Sequence, residues 1–134
     1  MVIGLVDLEI ILRLLVSIVL GALVGYEREL THKPAGLRTH MLVSLGACLF
    51  TVIAITQFSS DSARIISGIV TGIGFIGAGS IIAKGRVQGI TTAASIWVVA
   101  GVGIASGIGA YLFAAVTAIL VFVILEFKRF EKFK

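Results

Sequence analysis

Several residues in this sequence have types and spacings that could do chemistry. Gly72, Gly74 and Gly77 match G-x-G-x-x-G, the pattern that holds a dinucleotide pyrophosphate where a strand runs into a helix. Such a site also needs an acidic residue about 20 residues later to bind the ribose. Here a helix-length apolar run precedes the glycines, and no Asp or Glu lies between Asp61 and Glu126. The pattern therefore predicts helix packing, and no cofactor is expected.

The charged residues offer few further motifs. Glu29 and His32 form E-x-x-H, but a di-iron site needs two such motifs and more glutamates from other helices, and one copy is present. Glu27, Arg28 and Glu29 end an apolar run, either as a solvated helix end paired with Arg38 or as a charged entrance or docking site. With no nucleophile motif and no Walker motif, an enzyme is not expected.

The elements that must position these residues are strongly apolar. Hydrophobic residues make up 58% of the 134 residues and charged residues 13%, whereas an ordinary soluble domain carries about 25% charged residues. The mean hydropathy is +1.14. So few charges cannot cover the surface of a soluble protein, and most of the surface must face lipid or other helices. We therefore predict one all-α membrane domain over residues 1–134.

Five stretches are apolar and long enough, or nearly so, to cross a bilayer core of about 30 Å. The last two are short and are separated by only a few residues, which predicts a helical hairpin. KGRVQG at 84–89 is a polar break, with Thr91 or Thr92 as a cap for the fourth helix. The predicted transmembrane helices span residues 8–25, 39–57, 64–83, 92–106 and 110–125.

The distribution of Lys and Arg predicts the orientation. Of the 11 such residues, nine fall on one side of the predicted membrane: Arg28, Lys33, Arg38, Lys84, Arg86, Lys128, Arg129, Lys132 and Lys134. By the positive-inside rule that side is cytoplasmic, so the N-terminus lies outside and the C-terminus inside. The net charge of +4 reflects this orientation and attraction to anionic lipid, and nucleic acid is not expected as a partner. Arg13 lies inside the first helix, where Glu9 four residues earlier is expected to pair with it.

Glycines at helical spacing predict close packing between helices. In the third helix they fall on two opposite faces, so we expect this helix to be central and the most buried. The alternative is that the glycines weaken the helix and open backbone carbonyls toward an ion. The small-residue faces also favour a homo-oligomer, with a dimer preferred. The predicted helix-packing residues are Gly21, Gly25, Gly68, Gly72, Gly74, Gly77, Gly79, Gly103 and Gly107.

Four segments together resemble the membrane domain of the MgtC/SapB family. They are GALVGYERE (21–29), KPAGLRTHMLVSLGA (33–47), RIISGIVTGIGFIGAG (64–79) and GITTAASIWVVAGVGIASGIG (89–109). The resemblance covers nearly the whole chain and implies a multi-pass protein of the bacterial inner membrane, linked to magnesium homeostasis and growth at low magnesium. Some members of the family are also linked to survival inside host phagocytes and to inhibition of the F-type ATP synthase, so the resemblance implies this enzyme as a candidate membrane partner. Longer members carry a soluble C-terminal domain.

The resemblance also implies a set of polar ligand or partner residues. Under the predicted topology Arg64 is extracytoplasmic and the others lie at or near the cytoplasmic face. Such a cluster fits regulation of a partner as easily as the mouth of a pore. The set comprises Glu27, Arg28, Arg38, Thr39, His40, Arg64, Thr91, Thr92 and Ser95.

The choice of function depends on the acidic residues. Magnesium prefers near-octahedral oxygen ligands and usually meets one or two carboxylates, but no Asp or Glu lies near the predicted midplane. We therefore expect a protein that acts in magnesium homeostasis by regulating a membrane partner. The alternative is an oligomeric magnesium transporter or channel, in which Glu27 forms a ring or carbonyls of the third helix bind the ion.

Overall fold

The computed structural model describes residues 4–84 and 86–131 and confirms the all-α prediction. Four of its helices are long and apolar enough to cross a membrane, and the described part of the last helix contributes a shorter apolar stretch, Tyr111–Phe127. The chain is thus a multi-pass membrane protein. The helices are α1 (Leu5–Leu30), α2 (Leu37–Gln57), α3 (Ser62–Gly79), α4 (Ile90–Gly107) and α5 (Tyr111–Glu131).

The predicted break between the third and fourth helices is present, but the connection is longer than predicted. It contains a short antiparallel hairpin of β1 (Ile82–Lys84) and β2 (Arg86–Gln88), so α3 ends at Gly79 rather than at residue 83. The residue before α4 is Gly89, with φ of 90°, and a Cβ there would lie 2.1 Å from the Ser80 carbonyl oxygen. Glycine is therefore required at this turn. Thr91 and Thr92, predicted as caps, lie inside α4.

Three helices pack with their backbones in direct contact. A Cβ added at Gly21 would lie 2.8 Å from the His40 carbonyl oxygen, and one at Gly25 would lie 2.8 Å from the Leu37 Cα atom, so α1 touches α2. A Cβ at Gly103 would lie 2.2 Å from the Ser44 carbonyl oxygen. A Cβ at Gly107 would lie 2.9 Å from the Cys48 carbonyl oxygen, so α4 touches α2 along two turns. These four glycines permit the close approach of α1, α2 and α4.

The central helix is α4, and the expectation that the third helix is central is wrong. α4 buries nine of its residues and contributes to two apolar clusters, one with α1 and α5 and one with α2 and α3. In α3 only Ile73 and Gly77 are buried. The remaining members of the predicted glycine faces meet no neighbour within 4 Å of an added Cβ: Gly68, Gly72, Gly74 and Gly79.

α3 is nevertheless one unbroken helix through all five of its glycines. The alternative in which these glycines interrupt the helix therefore does not hold in this structure. Gly77 is the member that meets a neighbour, because an added Cβ would lie 3.3 Å from the Ala93 carbonyl oxygen of α4. A glycine-rich helix stays continuous in a membrane because the N–H and C=O groups of a broken turn would have no hydrogen-bond partner in lipid.

The close contact between α2 and α4 generates a first prediction. Gly103→Ala is expected to lower the melting temperature of the detergent-solubilised protein, because the new Cβ overlaps the Ser44 carbonyl and overpacking of this kind costs about 1–3 kcal/mol. Gly101→Ala is the matched control on the same helix, since an added Cβ there meets nothing within 4 Å. Equal melting temperatures for the two variants would contradict the packing described.

Candidate functional site

Five polar side chains are buried together at one end of the helix bundle, and we call them the polar cluster. α1 contributes two residues from its last turn, α2 one from its first turn, and α4 two from its first two turns. Each member is at most 3% exposed. All five belong to the set of polar residues predicted from the sequence. The polar cluster consists of Glu27, Arg28, His40, Thr92 and Ser95.

Glu27 and Arg28 form an ion pair inside the polar cluster. The Arg28 Nε atom donates to Glu27 Oε2 at 2.5 Å, and both side chains are only 2% exposed. Consecutive helix residues do not ordinarily face each other, so both side chains bend toward one location. A buried charge is costly unless it is paired. The carboxylate predicted as a pore-mouth ligand is therefore neutralised by its neighbour in the sequence.

His40 joins α2 to α4 through both ring nitrogens. Nδ1 lies 2.9 Å from the Gly36 carbonyl oxygen, and Nε2 lies 2.9 Å from the Ser95 hydroxyl. Ser95 Oγ in turn lies 2.8 Å from the Thr92 carbonyl oxygen. The close approach at Gly25, where an added Cβ would lie 3.0 Å from His40 Cβ, brings α1 against the same histidine. The polar cluster thus depends on the glycine contacts between the three helices.

Two further polar residues, Glu29 and Ser44, are outside the set of nine and lie near the polar cluster in sequence. The Glu29 carboxylate accepts a hydrogen bond from the Leu37 backbone N–H at 2.9 Å, so it satisfies an unpaired donor at the start of α2. Ser44 is fully buried, and its hydroxyl has no hydrogen-bond partner within the described chain. Helical spacing offers a signal for Ser44, because it follows His40 by four residues and shares its face.

The other predicted polar residues lie outside the cluster. Arg38 and Thr91 are exposed, and Thr39 is half-buried. Arg64 lies at the opposite end of the bundle, where its exposed side chain pairs with Asp61 at 3.1 Å. The structure therefore brings five of the nine predicted residues together and leaves four apart.

Arg13 connects α1 to the end of α4 on the opposite side of the bundle. The predicted ion pair with Glu9 is present. Arg13 Nη1 also donates to the Gly107 carbonyl oxygen at 2.7 Å. A cation is favourable at a helix C-terminus, where carbonyl groups have no helical partner. This arrangement explains a charged residue inside a span as a structural contact.

The polar cluster offers hydrogen bonding and proton binding. Within residues 4–84 and 86–131, no three His, Cys, Asp or Glu side chains gather closely enough to hold a metal ion. The ion pair uses the buried carboxylate, and His40 is the cluster member whose ordinary range of protonation includes neutral pH.

The ion pair generates a second prediction. Glu27→Gln and Arg28→Met are each expected to destabilise the protein by about 3–5 kcal/mol, because each leaves one buried charge without a partner. The double variant leaves no charge, so its loss should be well below the sum of the two single losses. Thermal unfolding in detergent measures all four proteins, and strictly additive losses would rule out the coupling.

Comparison with known proteins identifies relatives of the chain. Residues 14–133 match the MgtC family. Protein MgtC of Salmonella typhimurium (strain LT2) is 43% identical over 83% of this chain and 48% of its own length. Protein SapB of Bacillus subtilis (strain 168) is 35% identical over 91% of this chain and 57% of its own. "Putative magnesium transporter YhiD" of Escherichia coli (strain K12) is 37% identical over 88% of this chain and 60% of its own.

These matches cover a larger share of this chain than of its relatives. The matches cover 83–91% of this chain, while the chain spans only 48–60% of the length of these relatives. No solved structure matches it. The family match extends over most of the chain and includes every member of the polar cluster. The chain therefore belongs to the MgtC family.

Proposed function

We propose that this chain is a bacterial inner-membrane protein that acts in magnesium homeostasis by binding and regulating other proteins within the membrane. Membership of the MgtC family supports the magnesium link, and the relative YhiD is named as a candidate magnesium transporter. The placement of nine of the 11 Lys and Arg residues on one side supports an external N-terminus and a cytoplasmic C-terminus. In this orientation the polar cluster lies at the cytoplasmic end.

The observation that carries the proposal is the open glycine surface of α3. Each glycine in a helix costs about 0.5–1 kcal/mol of stability relative to alanine. Yet a Cβ added at Gly68 or Gly72 would have no other atom of this chain within 4 Å. They line an apolar groove of about 540 Å³ between α2 and α3, opposite Gly46 and Phe50. Small residues in membranes let another helix approach closely. A span that packs so little within its own chain is suited to a partner helix.

The state of the carboxylates supports regulation over transport. Magnesium keeps several water ligands and meets carboxylates that are free to bind it. Glu27 is almost fully buried and paired with Arg28, and Glu29 accepts a backbone hydrogen bond from Leu37. Glu27 and Glu29 thus serve the structure of the chain itself. The partner helix is proposed to come from a second copy or from another membrane protein such as the F-type ATP synthase.

The second candidate function is an oligomeric magnesium transporter. The name of the YhiD relative favours it, and the open surface of α3 would equally accept a second copy that completes a pathway. In this alternative the conducting surface forms between chains, since the glycine helix of one chain is unbroken. The two functions share an interface and differ in whether an ion crosses.

The α3 surface generates a third prediction. Gly72→Leu is expected to abolish support of growth at low magnesium in a bacterial strain that lacks its own family members, because the new side chain fills the groove that a partner would use. Gly101→Leu is the matched control, since Gly101 is an exposed glycine of α4 with open space around an added Cβ. Membrane abundance of both variants is measured by immunoblot. Full growth with Gly72→Leu would overturn the proposed interface.

A fourth prediction separates regulation from transport. Liposomes that contain the purified protein and a fluorescent magnesium indicator should show the same slow magnesium entry as protein-free liposomes. Rapid, saturable entry that Gly72→Leu removes and Gly101→Leu preserves would establish the oligomeric transporter in place of the regulator.

A further inference from the structure

His40 is fully buried at the meeting point of three helices, and its ring is held at both nitrogens. The Gly36 carbonyl oxygen can only accept a hydrogen bond, so Nδ1 must carry a hydrogen. Nε2 faces the Ser95 hydroxyl, which can either donate or accept. The protonation of Nε2 therefore decides the direction of the hydrogen bond between α2 and α4.

A count of hydrogen atoms separates the two states of the pair. The three contacts run from the Gly36 carbonyl through the ring and the Ser95 hydroxyl to the Thr92 carbonyl. A neutral ring and one hydroxyl supply two hydrogens, so only two of the three contacts are hydrogen bonds. A protonated ring supplies the third hydrogen, because Nε2 then donates to Ser95 and Ser95 donates to Thr92. Proton uptake adds one hydrogen bond along this chain of contacts.

The groups around His40 come from each helix that packs against it. α1 contributes the charges of Glu27 and Arg28, which act on the ring electrostatically. α4 contributes the uncharged Thr92 and Ser95. On α2 itself the neighbouring charge is Arg38, which is exposed. Because the Glu27–Arg28 ion pair is neutral, a proton on His40 gives this buried region one positive charge.

We propose that His40 and Ser95 form a buried proton-binding site in which the hydrogen bond between α2 and α4 reverses direction when a proton is taken up. The proton comes from water at this end of the bundle and is added to Nε2, and no other bond is formed or broken. In the neutral state Ser95 donates to His40. In the protonated state His40 donates to Ser95, and Ser95 donates to Thr92. The site lies beside the α3–α4 contact, since Ala93, which meets Gly77, immediately follows Thr92.

The chain permits a direct test because it contains two histidines. His32 is exposed and has a positive φ, which asparagine also tolerates, so His32→Asn leaves His40 as the sole histidine. The full-length variant in detergent, labelled with nitrogen-15 in the imidazole ring, is titrated by NMR. We expect a neutral ring at high pH with its hydrogen on Nδ1, and hydrogens on both nitrogens at low pH. A hydrogen on Nε2 at high pH, or a ring that never gains a proton while the protein stays folded, would overturn the proposal.

A pair of serine variants tests the role of Ser95. Ser95→Ala in the His32→Asn background is expected to weaken proton binding by His40 about tenfold, because a charged donor left without its acceptor loses more than a neutral ring does. Ser106→Ala is the matched control on α4, since Ser106 is fully buried and its hydroxyl donates to the Val102 carbonyl oxygen. It should leave the titration unchanged. Equal effects of the two serine variants would refute the coupling, and the tautomer measurement decides the proposal if Ser95→Ala does not fold.

Discussion

The backbones of α1, α2 and α4 touch because Gly21, Gly25, Gly103 and Gly107 carry no side chain. Lipid is as apolar as leucine, so helices in a membrane associate through close packing and hydrogen bonds rather than through the hydrophobic effect. The glycine contacts supply that packing over several turns. They also bring the side chains on the same faces within hydrogen-bond distance across helices. The polar cluster is therefore a consequence of how closely these three backbones approach.

Most polar groups buried between these helices have a hydrogen-bond partner, and the Ser44 hydroxyl is an exception. The buried hydroxyls of Thr51 and Ser106 donate to carbonyls of their own helices, which lets them occupy tight contacts without a partner across the interface. Glu27 and Arg28 neutralise each other, and His40 uses both ring nitrogens. In a medium of low dielectric constant an unpaired group of this kind would be strongly destabilising. In the proposed protonated state, His40 adds one hydrogen bond to this interior.

α3 follows a different rule from the other spans. Four of its five glycines face open space, while Gly21 and Gly25 of α1 and Gly103 and Gly107 of α4 face backbone atoms. Glycine thus has two roles in this chain. Gly21, Gly25, Gly77, Gly103 and Gly107 pack against other helices of the chain, and the remaining glycines of α3 leave an open surface. The groove beside α3 is consistent with regulation through a partner helix and with an oligomeric pathway, which is why the two proposed functions differ in ion flux rather than in interface. The polar cluster adjoins the α3–α4 contact, because Ala93, which meets Gly77, follows Thr92 of the cluster.

The sequence by itself determined the membrane class and the number and approximate bounds of the helices, because bilayer thickness fixes the length of an apolar span. It also singled out Glu27, Arg28, His40, Thr92 and Ser95 through the family resemblance. Only the tertiary structure decided that α4 is central, that Glu27 pairs with Arg28, and which glycines meet a neighbour. Helical periodicity assigns residues to faces, but spans that are apolar on every side give no signal of which face meets which helix. That choice depends on interhelical shape, which arises only when all the helices are packed together.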